Sequence, residues 1–433
     1  MSLLRLGWRA GLPLALLPAA LASPPPLQAI APEPMVRVLL QEAPSLELEA
    51  GSAPLRLGDG KGRTLLEIPP GEGLELRRSG SALEARLLGR AGTPRRVSLP
   101  LQQAWIDPAP ARGRSGEALL TLQQRRYRGR LLVRQEGDRL QAINLIDVES
   151  YLPSVVGSEM PATWPQAALR AQAVAARTYA LRQRRPAAPF DLKATVASQV
   201  YKGVEAETDS TREAVRSTRS QVLVHGAGLI NAVFHSSSGG LTENSGEIWR
   251  QQLPYLVSVT DFDEASPVHA WQLRIEADQL AKAFREIGGA FRIDLLATTS
   301  SGRIRQAKVT GPGGSLLLSG AELRQRLGLR STMARFAFEA PSRSYPFPPP
   351  LPALPGVFGP GVLESVAATL VQAPWLAPRP PAAPALVVNG RGFGHGVGMS
   401  QWGAYGLALR GEDYREILRH YYQGARILPY SSL

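Results

Sequence analysis

The chain has 433 residues, enough for one large domain or two or three ordinary ones, and 44% of them are hydrophobic, which suits a soluble globular fold. A formal charge of +13 favours anionic partners such as membrane surfaces or cell-wall polymers; the arginines are scattered and no nucleic-acid-binding module is recognised, so nucleic acid is not expected as a partner. Cysteine is absent, which excludes a thiol nucleophile, thiolate metal ligands and an iron–sulfur site.

Residues 1–22 read as a signal peptide. Arg5 and Arg9 supply a positive start, an apolar stretch runs from Gly11 to Leu21, and Ala20-Leu21-Ala22 offers a small-residue cleavage site. The apolar stretch is too short for a comfortable membrane span. The protein is therefore expected to be exported, to the periplasm, cell envelope or extracellular space, with peripheral association with membrane or envelope. Residues 23–34, rich in proline and alanine, read as a tether.

Residues 35–140 carry short β-prone pieces such as VRVLL, TLLEI, LEARLL and RGRLLVR, punctuated by glycine, proline and arginine. They predict a β-rich accessory domain without chemistry of its own. IDVESYLP, ending at Pro153, predicts a short helix or turn with Asp147 and Glu149 as capping residues. Glu159 then falls on an irregular segment ahead of a helix over Gln166–Leu181, with Pro165 as its first residue and Thr163 as a cap. Apolar neighbours Val155, Val156, Met160 and Trp164 would raise its pKa by desolvation, whereas a helix amino end would stabilise its anion. From the residues alone, Glu159 reads either as a general acid or as a capping or salt-bridged glutamate. Arg177, amid alanines on that packed helix, needs a partner: a nearby carboxylate or a ligand.

The string VLVHGAGLINAVFHSSSGGLT predicts a strand pair with a serine- and glycine-rich end, and TDFDEAS predicts a solvated acidic turn. A helix is expected over LRIEADQLAKAFREIG, strands over RIRQAKVTG and SLLLSG, and a helix over AELRQRLG. Residues 341–386 are a proline-rich insertion. After it, glycines at 390, 392, 394, 396 and 398 predict a loop, followed by helices capped by Ser400 and Asp413. The fold class is α+β, a β-rich region followed by mixed α+β with a glycine-rich C-terminal loop and helices. None of the five histidines forms an HExxH pair, the glycine run is no P-loop, and GSEMP is no GxSxG elbow.

The strings YLPSVVGSEMPATWPQAALRAQAVAARTYAL, SQVYKGV, AVFHSSSGGLTENSGEIW, PYLVSV and GFGHGVGMSQWGAYGLALRG, in that order, resemble the stage II sporulation protein D / amidase-enhancer LytB family over residues 141–432. The resemblance implies a peptidoglycan lytic transglycosylase that cuts MurNAc–GlcNAc glycan strands, preferably peptide-free ones, and forms 1,6-anhydro-MurNAc. The EMP glutamate, Glu159, would be its general acid/base. Such a reaction takes its nucleophile from the substrate, which explains the lack of an evident second carboxylate. Arg177, Tyr179, His235, Ser237, His395 and Gln401 fall on motif positions and are expected to bind substrate. Some members hold zinc near HSSSGG through cysteine and histidine; without cysteine, no metal and no cofactor are expected here. The family's other members imply a non-catalytic wall-binding enhancer of an N-acetylmuramoyl-L-alanine amidase, with that amidase as partner. A structural envelope scaffold is a third reading.

Overall fold

The computed structural model describes residues 33–59, 61–89, 96–99, 102–109, 117–339 and 385–433. The expected signal peptide, the tether up to residue 32 and residues 341–384 of the expected proline-rich insertion lie outside the described residues; its last two residues, Ala385 and Leu386, instead begin a strand, Ala385–Arg391.

Alternating hydrophobicity builds the first half. In Ser45–Ala50 the leucines and alanine point inward and the two glutamates outward. That strand belongs to a six-stranded sheet running Arg125–Tyr127, Leu120–Leu122, Ser45–Ala50, Gly73–Ser79, Ala82–Leu88, Arg96–Leu99. A seven-stranded sheet runs Leu192–Lys193, Met35–Ala43, Arg139–Asp147, Arg130–Glu136, Gln103–Pro108, Leu55–Gly58, Thr64–Ile68. Leu46, Leu48, Leu74 and Leu76 of one sheet share a core with Leu55, Leu57, Leu131 and Val133 of the other. The second sheet takes strands from both sides of residue 140, because Leu192–Lys193 adds in parallel to Met35–Ala43.

The strand Arg139–Asp147 passes directly into helix α1 (Val148–Glu159), where Asp147 accepts from the Ser150 N–H as the expected cap. The helix does not stop at Pro153. Leu152, Val155 and Val156 are buried, and their packing carries the helix through the proline to Glu159. Glu159 is thus the last residue of a helix, and the irregular segment expected around it begins only at Met160. Helix α2 (Gln166–Arg182) starts one residue later than predicted, after Pro165, and no side chain caps it, so Thr163 has no capping role. Its alanines let α1, α3 (Asp209–Ser217), the strand Gln221–His225 and the two C-terminal helices all pack against it.

Two short helices follow in the next part of the chain, α4 (Ser245–Ile248) and α5 (Ala277–Ala283). The helix expected to begin at Leu273 is delayed to Ala277. Leu273 instead lies in the strand Ala270–Ile275, which pairs with Ala385–Arg391 and buries Trp271 and Ile275. Together with α6 (Gly320–Leu327) and the sheet Arg292–Thr298, Ile304–Gly311, Gly314–Ser319, these elements enclose a second core around Phe284, Val309, Leu323 and Val388. Glu339 and Ala385 are register partners in adjacent strands, so the two flanks of the proline-rich segment stand side by side. Helices α7 (Gln401–Leu409) and α8 (Tyr414–Tyr421) carry the expected caps, Ser400 and Asp413. Among the described residues no helix is long and apolar enough to cross a membrane. The architecture is α+β, with a strand-rich beginning and later helices.

One ion pair fastens α1 to α2. Arg177, with no exposed surface, donates to Glu149 through Nε (2.8 Å) and an Nη (2.7 Å), and also to the carbonyls of Val215 and Gln221. Glu149 is therefore a buried partner and not a cap. Truncating it strands a guanidinium in the interior, so Glu149→Ala should lower unfolding free energy by on the order of 3–5 kcal/mol in urea titration. The double variant Glu149→Leu/Arg177→Met should lose clearly less than either partner's removal alone; an additive loss would show that the two groups do not act as a pair.

Candidate functional site

The C-terminal end of α1 meets the N-terminal end of α7. Glu159 Oε1 accepts from the Val200 N–H at 3.0 Å, and Oε2 accepts from Gln401 Nε2 at 3.2 Å. Burial raises the Glu159 carboxyl above the usual range, while the two hydrogen bonds and Lys202 pull the other way. Beside this pair stand three half-buried aromatics. Trp164 lies 4.7 Å from Trp402 and 4.9 Å from Tyr405, ring centre to ring centre, and Trp402 lies 5.5 Å from Tyr405. A fixed carboxylate and a carboxamide beside an aromatic surface form a site with both hydrogen-bonding and stacking capacity.

A second group adjoins it through backbone. Phe234–His235 and Met399–Ser400 pair in parallel, and the Trp402 N–H donates to the Ser236 carbonyl at 3.0 Å. The serine-rich turn and the start of α7 are thus one unit. The His235 and His395 rings are 5.4 Å apart. His235 is buried, with Nδ1 against the Val397 carbonyl at 3.2 Å and no hydrogen-bond partner for Nε2 among the described residues. Burial, reinforced by His395 and Arg303, pushes its pKa well below the ordinary histidine value. Burial, with Arg324 nearby, lowers His395 to about 4.

The serine turn is held from beneath. TDFDEAS is not a solvated turn: Asp261 and Asp263 are buried. Asp263 accepts from the Ser237 hydroxyl, from Gly239 N–H (2.8 Å) and stands against His269 (2.9 Å). Asp261 takes Ser238 and Tyr421, each at 2.5 Å, and burial raises its carboxyl with help from neighbouring Asp263. Arg303, reaching over from the second core, donates to the carbonyls of Ser238 (2.7 Å) and Leu241 (3.1 Å). Gly396 has a φ of +84° and rests on that guanidinium, where a Cβ would come within 2.5 Å of it. Gly394, at φ +121°, similarly covers the His235 side chain.

Of the residues expected to form the site, Glu159, expected as the general acid/base, touches Gln401, and His235 approaches His395. Ser237 is buried and committed to Asp263. Tyr179 is half-buried on α2 beside Ser198. Arg177 is corrected: it has no exposed surface, and its donors are spent on Glu149 and two carbonyls, so it holds helices and faces no cleft. Sequence reasoning missed Val200, which acts through its backbone N–H and leaves no residue-type signal, and Arg303, which is remote in sequence from the turn it holds. Among the described residues no group of three or more His, Cys, Asp or Glu could hold a metal ion.

The raised pKa of Glu159 has a measurable consequence. A carboxyl whose folded-state pKa exceeds its unfolded value contributes stability below about pH 4.3 and loses it as pH climbs through the folded value. Wild type should therefore lose stability relative to Glu159→Gln across that window. The two proteins differ at this one side chain, so the difference between them reports on Glu159. A pH-independent difference in urea midpoints would show that its pKa is unshifted.

Sequence comparison relates this chain to known proteins. Residues 136–225, which contain α1, α2 and Glu159, match the Stage II sporulation protein family. The chain is 30% identical over 304 residues to the amidase enhancer of Bacillus subtilis, covering 64% of this chain but only 40% of that protein. It is 29% identical over 307 residues to stage II sporulation protein D of the same organism, covering 66% and 76%. An uncharacterized protein of Brachyspira hyodysenteriae is 28% identical over 314 residues, covering 72% and 74%. These comparisons correct the expectation of a lytic transglycosylase, and with it that of an enzyme working through Glu159. The relatives are named for enhancing an amidase and for a stage of sporulation, and none is named for cutting glycan. The chain is a homologue, at moderate identity, of the SpoIID/LytB domain family of amidase enhancers and stage II sporulation proteins D.

Proposed function

We propose that this protein is a non-catalytic binder of cell-wall glycan that enhances an N-acetylmuramoyl-L-alanine amidase. The observation that carries the reading is the site itself: Trp164, Trp402 and Tyr405 beside the Glu159–Gln401 pair, in a homologue of an amidase enhancer. Sugar rings stack on aromatic faces, and hydroxyl and acetamide groups need fixed acceptors and donors beside them. Glu159 accepts a sugar hydroxyl, and Gln401 faces an acetamide. His395 lies along the same path, and the glycine-rich segment forms its wall. His235, Ser237 and Tyr179 support this surface from behind.

Binding of this kind explains enhancement without bond cleavage. A protein that holds a glycan strand against its surface raises the local concentration of cuttable stem-peptide linkages for an amidase docked beside it. The strand-rich region over residues 35–140 serves as the accessory support for this surface. The setting is the cell envelope, outside the cytoplasm, where the net positive charge favours anionic wall polymers.

The test is an amidase assay on insoluble peptidoglycan with and without the protein. Release of stem peptides should rise with the protein present, and mass spectrometry should find intact glycan when the protein acts alone. Trp402→Ala should bind sedimented wall roughly tenfold more weakly and lose the enhancement in proportion. Glycan strands cut by the protein alone, or unchanged amidase rates despite binding, would overturn the reading.

A further inference from the structure

The lobe built on the second core carries an open sheet edge. Its sheet runs Arg292–Thr298, Ile304–Gly311, Gly314–Ser319, so the strand Arg292–Thr298 is paired on one side, and among the described residues no strand pairs with its other side. Ala307 and Val309 of the central strand lie in the core, and their register partners Leu295 and Ile293 share that face. The covering thins toward the edge. Ile293 is half-buried, and Leu295 is 40% exposed. Phe291, which enters the strand with its N–H on the Thr310 carbonyl at 3.0 Å, is 49% exposed.

The alternate positions are charged. Arg292 Nε donates to Asp294 at 2.8 Å, and Lys308 is the register partner of Asp294. A register shift between Leu295 and Ala297 ends the regular ladder. An open edge with exposed apolar residues is a template for another strand. The order Phe-Arg-Ile-Asp-Leu over 291–295 indicates which strand. Laid antiparallel against itself about Ile293, it sets Arg292 against the partner's Asp294, and Asp294 against the partner's Arg292. Phe291 then comes beside the partner's Leu295, and the two-fold axis repeats every contact. Centring the pairing on Arg292 or on Asp294 opposes like charges. A shift by one residue turns the second sheet over and breaks the continuity of the apolar face. The irregularity after Leu295 interrupts registers centred further along.

We propose that this chain forms a two-fold dimer by antiparallel pairing of residues 291–295, which joins two three-stranded sheets into one. The contact is isologous, so it closes on itself and does not propagate. Charges on an edge strand usually deter pairing; here opposite charges two residues apart deter the wrong registers and favour one. Such a short edge gives an interface at the small end of specific contacts, with a Kd on the order of 10–100 μM. The inference uses no residue of the Glu159–Gln401 site and does not rest on the wall-glycan reading.

Sedimentation velocity of the full chain tests it. Wild type should pass from monomer to dimer between about 1 and 300 μM. Arg292→Asp and Asp294→Arg each oppose like charges across the axis, so each should self-associate at least about tenfold more weakly, with native circular dichroism. Mixed in equal amounts, the two single variants should form a heterodimer. The double variant Arg292→Asp/Asp294→Arg should dimerise as wild type does. A wild type that stays monomeric throughout would overturn the proposal, as would single variants that dimerise undiminished or a mixture that fails to associate. Amide exchange distinguishes a second copy from a covering segment of the same chain. Protection of residues 292–295 should rise with protein concentration; protection equal at every concentration would assign the edge to the chain itself and overturn the dimer.

Discussion

The site depends on a guanidinium that never reaches solvent. Arg177 projects from an alanine-rich helix into the space between α1, α3 and the strand Gln221–His225, and Glu149 meets it with both carboxylate oxygens. Glu149 also accepts from the Ser220 N–H at 3.1 Å, and Arg177 reaches two backbone carbonyls. A buried charge satisfied at so many points tolerates little rotation of either helix. Glu159 lies at the far end of α1 from Glu149. Fixing the start of α1 against α2 therefore sets where the Glu159 carboxylate stands, and the Val200 N–H and Gln401 find it in place.

The opposite wall obeys a different constraint, close backbone approach. The segment 392–398 lies directly on the serine-rich turn, and glycine is required where a Cβ would enter Arg303 or His235. Asp261 and Asp263 hold the turn from below, and Arg303 grips its carbonyls from the side. Arg303 belongs to the lobe built on the second core, so that lobe's packing bears on the geometry of the turn. Through the parallel pairing of His235 with Ser400, the same restraint reaches the first residue of α7, Gln401. The two walls converge on one hydrogen bond, from Gln401 to Glu159.

Strands with alternating leucines, the alanine-rich helix and the caps Asp147, Ser400 and Asp413 were legible because each is a local pattern. Local patterns also misled. Pro153 reads as a helix terminus, yet burial of Val155 and Val156 outweighs its missing N–H. TDFDEAS reads as a solvated turn, yet its two aspartates are buried because serine hydroxyls, a tyrosine and backbone N–H groups wait for them. Leu273 reads as helical until a strand more than a hundred residues later, Ala385–Arg391, supplies its ladder. Arg177 was rightly read as needing a partner, but which partner is a tertiary fact. Glu159 and Gln401 stood out as motif residues, and only the fold shows that they bond to each other.

The same geometry bears on what the carboxylate at the centre does. Both Glu159 oxygens already receive hydrogen bonds, so its position is fixed before any ligand arrives. A pre-placed acceptor beside three aromatic rings pays little ordering entropy on binding, which is the property a holding surface needs. The groove near His395 holds Arg250, Arg305 and Arg324 without a close ion pair among the described residues, in a molecule that elsewhere pairs Arg177 and Arg326. Charge left open at one face and closed in the interior separates the groups that hold the fold from those that face a ligand. By that criterion Arg177 belongs to the fold and Arg324 to the surface.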